Sequence, residues 1–378
     1  MESAYKTLGS FVRLVDERNR GMTTTRILGI NIDKYFMPSV ANTIGTDLSN
    51  YKLLRKGLFA CNPMHVGRDE RLPIALYTDD IPAIVSPAYF VFEVADNSVL
   101  DEYLMMWFLR PDFDRLCWFK TDASVRGGIA WDDLSRIEIP VPPIDAQRKL
   151  VYDYKVISDR ITLKRRINEN LQSQAREYVN HWMTENSDSY TLCLLSDIAQ
   201  INPEQYSNRD GWQFINYLDT GNITEGLISE IQRIEVGVDK IPSRAKRKVV
   251  AKDIIYSTVR PNQHHYGIIT NPVPNMLVST GFAVIRSSCP SICNELIYLL
   301  VTEDKFTEQI QQVAEQSTTA YPSIKPSDLG ACLVPKPSEN AGDVLSKALG
   351  AYFSMISLNQ EENRKLSALR NAVLSYAK

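Results

Sequence analysis

Two polar stretches in the second half of the chain carry side-chain chemistry suited to reading a nucleic acid. Ser243-Arg244-Ala245-Lys246-Arg247-Lys248 is followed by Arg260-Pro261-Asn262-Gln263-His264-His265-Tyr266. An arginine fork matches the acceptors of guanine, Asn and Gln match adenine, and Lys holds phosphate. The plainer alternative is a solvated strand entrance at Arg244 to Lys248 and a surface turn at His264-His265. In the first half the stretches that correspond by order are Arg55-Lys56 and Met64-His65-Val66-Gly67-Arg68-Asp69-Glu70-Arg71, where acidic neighbours dilute the positive charge. Two further loops, Arg126-Gly127-Gly128 and Gln316-Ser317-Thr318-Thr319, precede the last strand of each half. Small residues let a backbone approach phosphate closely, though such loops also serve as plain turns. Trp131 and Tyr321, just beyond them, read as packing residues rather than stacking platforms.

Chemistry of the chain's own is harder to find. Adenine methylation needs an Asp/Asn-Pro-Pro-aromatic segment with a Gly-rich cofactor loop, and Asn62-Pro63-Met64-His65 supplies only the first half, which reads as a turn. The four histidines (His65, His181, His264, His265) show no metal-ligand spacing. Cys61, Cys117, Cys193 and Cys332 are scattered; Cys289 and Cys293 lie close but lack a second pair to complete a zinc site. These thiols are expected to be reduced and structural. A formal net charge of −3 counts against phosphate binding. The basic residues are, however, gathered in local clusters and in the helical segments.

The elements that must position these residues are laid out twice, about 195 residues apart. Ile137 to Pro143, a strand punctuated by prolines, leads into a long helix, and Leu333-Val334-Pro335-Lys336-Pro337 does so again. At that offset Leu150 matches Leu345, Ile161 matches Ile356, Asn168 matches Asn363 and Leu171 matches Leu366. Residues 146–185 contain neither Pro nor Gly, and steps of three and four pick out Leu150, Tyr154, Ile157, Ile161, Lys164, Asn168, Leu171, Ala175, Tyr178 and Trp182. The final helix repeats the pattern with Leu345, Leu349, Tyr352, Ile356, Asn359, Asn363, Leu366, Arg370 and Val373. Such seams specify a coiled coil. Antiparallel pairing is the economical solution, within one chain or between two, and the polar positions Lys164, Asn168, Asn359 and Asn363 are expected to fix its register. At 1.5 Å per residue each helix would run about 55 to 60 Å.

The fold class expected is therefore α/β: two similar mixed α/β domains joined by two long antiparallel helices, with a pseudo-twofold internal repeat. The domains span 1–143 and 189–339 and the helices 144–188 and 340–378. Strands are expected at Arg26 to Asp33, Ile74 to Tyr77, Ala83 to Val94, Gln213 to Leu218, Arg247 to Ser257 and Met276 to Ile285. Helices are expected at Ser98 to Leu109, stopped by Pro111, and at Ile292 to Gln312. Asp145 is the expected cap of the first long helix. A hydrophobic content of 44% fits a soluble globule, the apolar runs fall short of a membrane span, and the first residues lack a signal peptide's apolar core. A cytoplasmic location is expected.

This layout resembles the specificity (S) subunit of type I restriction-modification systems. The resemblance rests on Pro142-Pro143-Ile144-Asp145-Ala146-Gln147 with Asn168-Glu169-Asn170-Leu171, and on Gly57 to Met64 running on to Ile84 to Tyr89. The second-half counterparts are Asp253 to Ser257 and Val278 to Ala283. It covers nearly the whole chain; the first domain is expected to start almost at Met1, leaving little or none of the N-terminal extension that some members carry. In the second half Asn340-Ala341-Gly342 replaces Asp145-Ala146-Gln147, keeping a capping residue but placing Gly in the first turn. The resemblance implies a subunit without catalytic activity that reads a bipartite double-stranded DNA target. Two target recognition domains would be held apart by the helices, which would dock methyltransferase (M) and restriction/translocase (R) subunits. S-adenosylmethionine, ATP and Mg would then be held by those partners and none by this chain. A coiled-coil scaffold binding other proteins is the rival, and a standalone methyltransferase or nuclease a third reading.

Overall fold

Each half of the chain opens with a strand that pairs antiparallel with the proline-bearing strand near its end. Ala4–Thr7 runs along Glu138–Val141, and Tyr190–Leu194 along Leu333–Pro337. Proline cannot donate to a ladder, so these strands sit in two-stranded ribbons where an unpaired edge is tolerated. The computed structural model describes residues 4–40, 45–64, 66–121, 127–316 and 321–376. It divides into unit one, Met1–Thr162 with Arg364–Lys378, and unit two, Leu163–Asn363.

Within each unit the strands recur in the same order. Unit one has an antiparallel sheet of Val12–Leu14, Phe90–Val94, Phe59–Cys61 and Ile74–Leu76. Unit two has Ala199–Ile201, Phe282–Ser287, Asp253–Ser257 and Tyr266–Ile269. A second sheet in unit two orders Gln232–Glu235, Phe214–Leu218, Met276–Ser279 and Ala245–Lys248, with Phe214–Leu218 parallel to Met276–Ser279. Unit one splits the counterpart into Leu28–Ile30 with Phe36–Pro38 and Lys52–Leu54 with Ala83–Val85. A single parallel bridge, Ile27 to Ile84, stands where unit two has a parallel ladder. The main core of each unit lies between its first sheet and its short helices.

Several expected elements prove to be two. The run Ala83 to Val94 breaks at a turn closed by Tyr89 N–H on Ser86 O, and Met276 to Ile285 breaks at Thr280-Gly281. Arg247 to Ser257 breaks at Lys252, whose φ of 72° is left-handed; Gly57, at 90°, holds the equivalent turn in unit one. Arg26 to Asp33 contracts to Leu28–Ile30. Ile292 to Gln312 is two helices, Asn294–Val301 and Asp304–Glu315, and Thr302 Oγ1 donates to Tyr298 O at the break. Pro111 does end the helix Asp101–Phe108, but it also opens the next, Pro111–Phe119, because a first-turn residue needs no N–H partner.

The long helices run Ile144–Glu185 and Glu339–Tyr376. Asp145 and Asn340 therefore sit inside the first turn rather than capping it. Gly342 is a requirement of the fold rather than a loss, because a Cβ there would overlap the Ser291 carbonyl. Gly342→Ala is expected to destabilise the chain by roughly 1–2 kcal/mol, measured by urea denaturation.

In unit two the helices lie antiparallel, since rising positions on one meet falling positions on the other. Lys164 Nζ reaches Asn359 Oδ1 at 2.9 Å and Glu362 at 2.6 Å; Asn359 Nδ2 donates to Asn168 Oδ1 at 2.8 Å. Ala175, Leu345, Leu349 and Ile356 are buried there, and Leu171 and Tyr352 are partly buried. In unit one Leu150 packs against the core, Ile161 is buried, and Tyr154, Ile157 and Leu366 are half-buried. Asn363 keeps a buried Oδ1 without a partner. Asn359→Leu would strip Lys164 and Asn168 of a partner, so a loss of about 1 kcal/mol in urea denaturation is expected.

Among the described residues no helix is long and apolar enough to cross a membrane.

Candidate nucleic-acid interface

In unit two the turn Thr280-Gly281 stitches the two basic stretches together. Thr280 N–H donates to Arg244 O at 2.8 Å, while Thr258 donates to Gly281 O through its N–H at 2.8 Å and its Oγ1 at 2.9 Å. From Thr258 the chain enters Arg260 to His265, and Arg260 N–H donates to Pro322 O at 2.9 Å. Arg260 and His264 have φ of 48° and 56° and bracket the turn Pro261–Gln263. Left-handed backbone at non-glycine residues costs energy and collects where function needs a fixed shape.

The side chains on this surface fall into three groups. Arg244, Lys246, Asn262 and Gln263 are exposed. Lys248 is committed to Asp210 at 2.6 Å, with its ammonium 5.4 Å from the Trp212 ring, and Arg260 lies 4.5 Å over the Tyr321 ring. His264 Nδ1 meets Glu225 Oε1 at 2.9 Å and His265 Nδ1 meets Ile223 O at 2.6 Å, so His265 braces the Ile223–Thr224 strand and His264 the residue that follows it. Arg247 stands apart. Its Nε is buried without a hydrogen-bond partner, and burial pushes its guanidinium below the usual arginine value. A bulge between Ala245 and Arg247 interrupts the pairing with Met276–Ser279, and such bulges re-aim side chains beside functional sites.

Unit one repeats the scaffold with different chemistry. Ile129 N–H donates to Pro63 O at 3.1 Å, as Ile324 N–H does to Thr258 O at 2.9 Å, 195 positions on in both donor (129 to 324) and acceptor (63 to 258). Gly67 N–H donates to Gly127 O at 2.9 Å, and a Cβ on Gly128 would come within 3.0 Å of Pro63 O. The close approach explains Gly128. At the 195-residue offset Gly127 and Gly128 fall on Pro322 and Ser323. His65, Arg126, Ser317, Thr318 and Thr319 lie outside the described residues.

Each described cationic candidate of unit one is neutralised by a carboxylate. Arg55 pairs with Glu17 at 2.6 Å, Lys56 with Asp80 at 2.8 Å, Arg68 with Asp69 at 2.6 Å and Arg71 with Asp33 at 3.0 Å. Exposed pairs of this kind are worth little and exchange readily for another anion. Trp131 packs edge-on to Phe90, with ring centroids 5.5 Å apart, as a packing residue should. Tyr321 is 57% exposed and supports Arg260 at the surface, a role its neighbours in sequence do not reveal.

Burial raises the thiols of Cys61, Cys117 and Cys332 above the usual cysteine value, which makes them poor nucleophiles. Among the described residues no group of three or more His, Cys, Asp or Glu is placed to hold a metal ion.

No family model matches the chain. A curated relative, the type I restriction enzyme HindI specificity subunit of Haemophilus influenzae, is 24% identical over 180 residues, 47% of this chain and 38% of the relative. The chain thus matches well under half of that relative's length. A crystal structure of the type I restriction-modification system S subunit from M. genitalium aligns over 100% of this chain and 96% of its own, with a TM-score of 0.54 and 14% identity. The HsdS subunit from Thermoanaerobacter tengcongensis aligns over 99% of this chain and 96% of its own, with a TM-score of 0.37 and 15% identity. The fold shared with the M. genitalium subunit is the one the sequence resemblance implies.

Proposed function

We propose that this chain is the specificity subunit of a type I restriction-modification complex, reading a bipartite double-stranded DNA target. Residues 1–143 and 189–339 act as its two recognition domains, and residues 144–188 and 340–378 as the helices that space them. The observation that carries the reading is the repeated loop scaffold. One backbone bond, Ile129 to Pro63 and Ile324 to Thr258, anchors the same pair of loops in both units, yet the side chains displayed differ. A repeated frame with exchanged loop chemistry is what two readers of unlike half-sites require.

In this reading the chain works in the cytoplasm and performs no bond chemistry. Methyltransferase subunits and the nuclease subunit dock on its helices and bring S-adenosylmethionine, ATP and Mg. The helices set the unread interval between half-sites, and the exposed Arg244 and Lys246 grip phosphate.

Mapping modified bases in cells with and without the gene yields the target. The purified chain with its methyltransferase partner should then bind that duplex more tightly than a random one at physiological salt, in a fluorescence anisotropy titration. Equal affinity for both would overturn specific reading. Affinity that hardly changes with salt would favour a protein scaffold instead, because phosphate contact declines steeply as salt rises.

A further inference from the structure

A cavity of about 640 Å³ opens in unit one between the strand pair Leu28–Ile30 and Phe36–Pro38, the helix Asp101–Phe108 and the start of the first long helix. Phe36, Met37, Leu76, Met105 and Met106 line it, together with Ser158, whose Oγ is buried without a hydrogen-bond partner. Its volume falls in the range of small-molecule sites, roughly 300–1,000 Å³. The lining is not wholly apolar, since Arg26, Lys34, Asp79, Glu102 and Lys155 also stand around it.

The duplicated unit shows what the space is shaped for. Adding 195 takes Met105, Met106, Tyr154 and Ser158 to Leu300, Val301, Leu349 and Phe353. In unit two those four side chains belong to one buried cluster. Phe353 is 3% exposed and lies edge-on to Tyr298 with ring centroids 5.9 Å apart. A phenyl ring stands there where unit one has only a hydroxymethyl group. Methionines around the gap suit an aromatic guest, since the thioether is adaptable and makes favourable contacts at ring edges.

We propose that unit one binds a small uncharged aromatic molecule in this cavity, of the class of indoles and phenols. Its ring lies among Met37, Met105 and Met106, and its N–H or O–H donates to Ser158 Oγ. The proposal does not depend on the DNA reading.

Indole and phenol titrated into the full chain, followed by ligand-observed NMR and thermal unfolding, test it. Saturable binding that raises the unfolding temperature is expected. Ser158→Phe, which rebuilds the arrangement of unit two, should weaken binding more than tenfold while the protein remains folded by circular dichroism. Ser158→Ala keeps the space and loses the acceptor, so a loss of roughly fivefold is expected. Absence of binding by both probes would overturn the proposal, as would unchanged affinity in Ser158→Phe. Should Ser158→Phe not fold, unchanged affinity in Ser158→Ala would overturn it. If neither probe binds but Ser158→Phe blocks assembly with the methyltransferase partner, the cavity takes a protein side chain and the proposal is wrong.

Discussion

Replacing Asp114 with alanine is expected to cost the chain about 3–5 kcal/mol, because it leaves a buried ammonium uncompensated. Lys34 has a side chain only 4% exposed, and its Nζ lies 2.8 Å from Asp114 Oδ1. The same ammonium donates to Phe108 O, and the Phe113 ring centroid is 5.3 Å away. Asp114 Oδ1 also accepts the Leu72 N–H at 3.0 Å, so one carboxylate ties three segments of unit one. Lys34 itself sits at a left-handed φ of 68°, a conformation held by what surrounds it. Urea denaturation of the variant measures the loss. Asp114→Leu combined with Lys34→Met should recover most of it, because an apolar replacement carries no desolvation cost.

The pH dependence of that variant follows from the direction of the lysine shift. Burial lowers the Lys34 pKa below its ordinary 10.5. Between the folded and unfolded values the unfolded chain holds more protons, so stability rises with pH across that window. Without Asp114 the folded state favours the neutral amine still more. The deficit of Asp114→Ala against the wild type is therefore expected to narrow as pH climbs towards 10.5. A deficit that stays constant would show that the missing Leu72 bond, not the charge, dominates.

What the sequence made legible and what it hid divide along physical lines. Helical seams repeat every three or four residues, so Ile161, Ala175, Leu345 and Ile356 could be placed from spacing alone, and all four are buried. The proline-bearing strands were visible for the same reason: the constraint lies in the residue itself. Strand ends were not, because Lys252 turns the chain at a left-handed φ that only its tertiary setting imposes. The candidate interface was legible in residue type but not in pairing. Glu17 and Asp33, which neutralise Arg55 and Arg71, are each 38 residues away along the chain (55 − 17 and 71 − 33). Local composition shows only Asp69 beside Arg68. Tyr321 was missed as the support of Arg260, although the repeat offset leads to it from Arg126 (126 + 195). The cavity beside Ser158 needs strands, a short helix and a long helix at once, and no single stretch announces it.

Arg247→Met is expected to weaken binding to the target duplex by about 1–3 kcal/mol, roughly fivefold to a hundredfold, while leaving thermal stability unchanged or slightly raised. The split between the two readouts carries the argument. Arg247 is half-buried, its Nε is buried without a partner and burial disfavours its charge, so methionine, which keeps most of the stem's volume, removes a desolvation cost. Under the proposed function the same group would gain acceptors at guanine O6 and N7. If Arg247 were instead part of the frame, stability would fall and affinity would follow it. Neutralising the exposed Arg244 and Lys246 together should behave differently: affinity for target and random duplex falls alike, and the salt slope shrinks by about 1.8, close to 0.9 for each phosphate left without its cation. The corresponding change at Arg55 and Arg71 should shift the slope less, because Glu17 and Asp33 already hold those cations and are released as they engage phosphate. Equal slopes from the two units would mean that these ion pairs do not persist in solution, and that charge is shared evenly between the two half-sites.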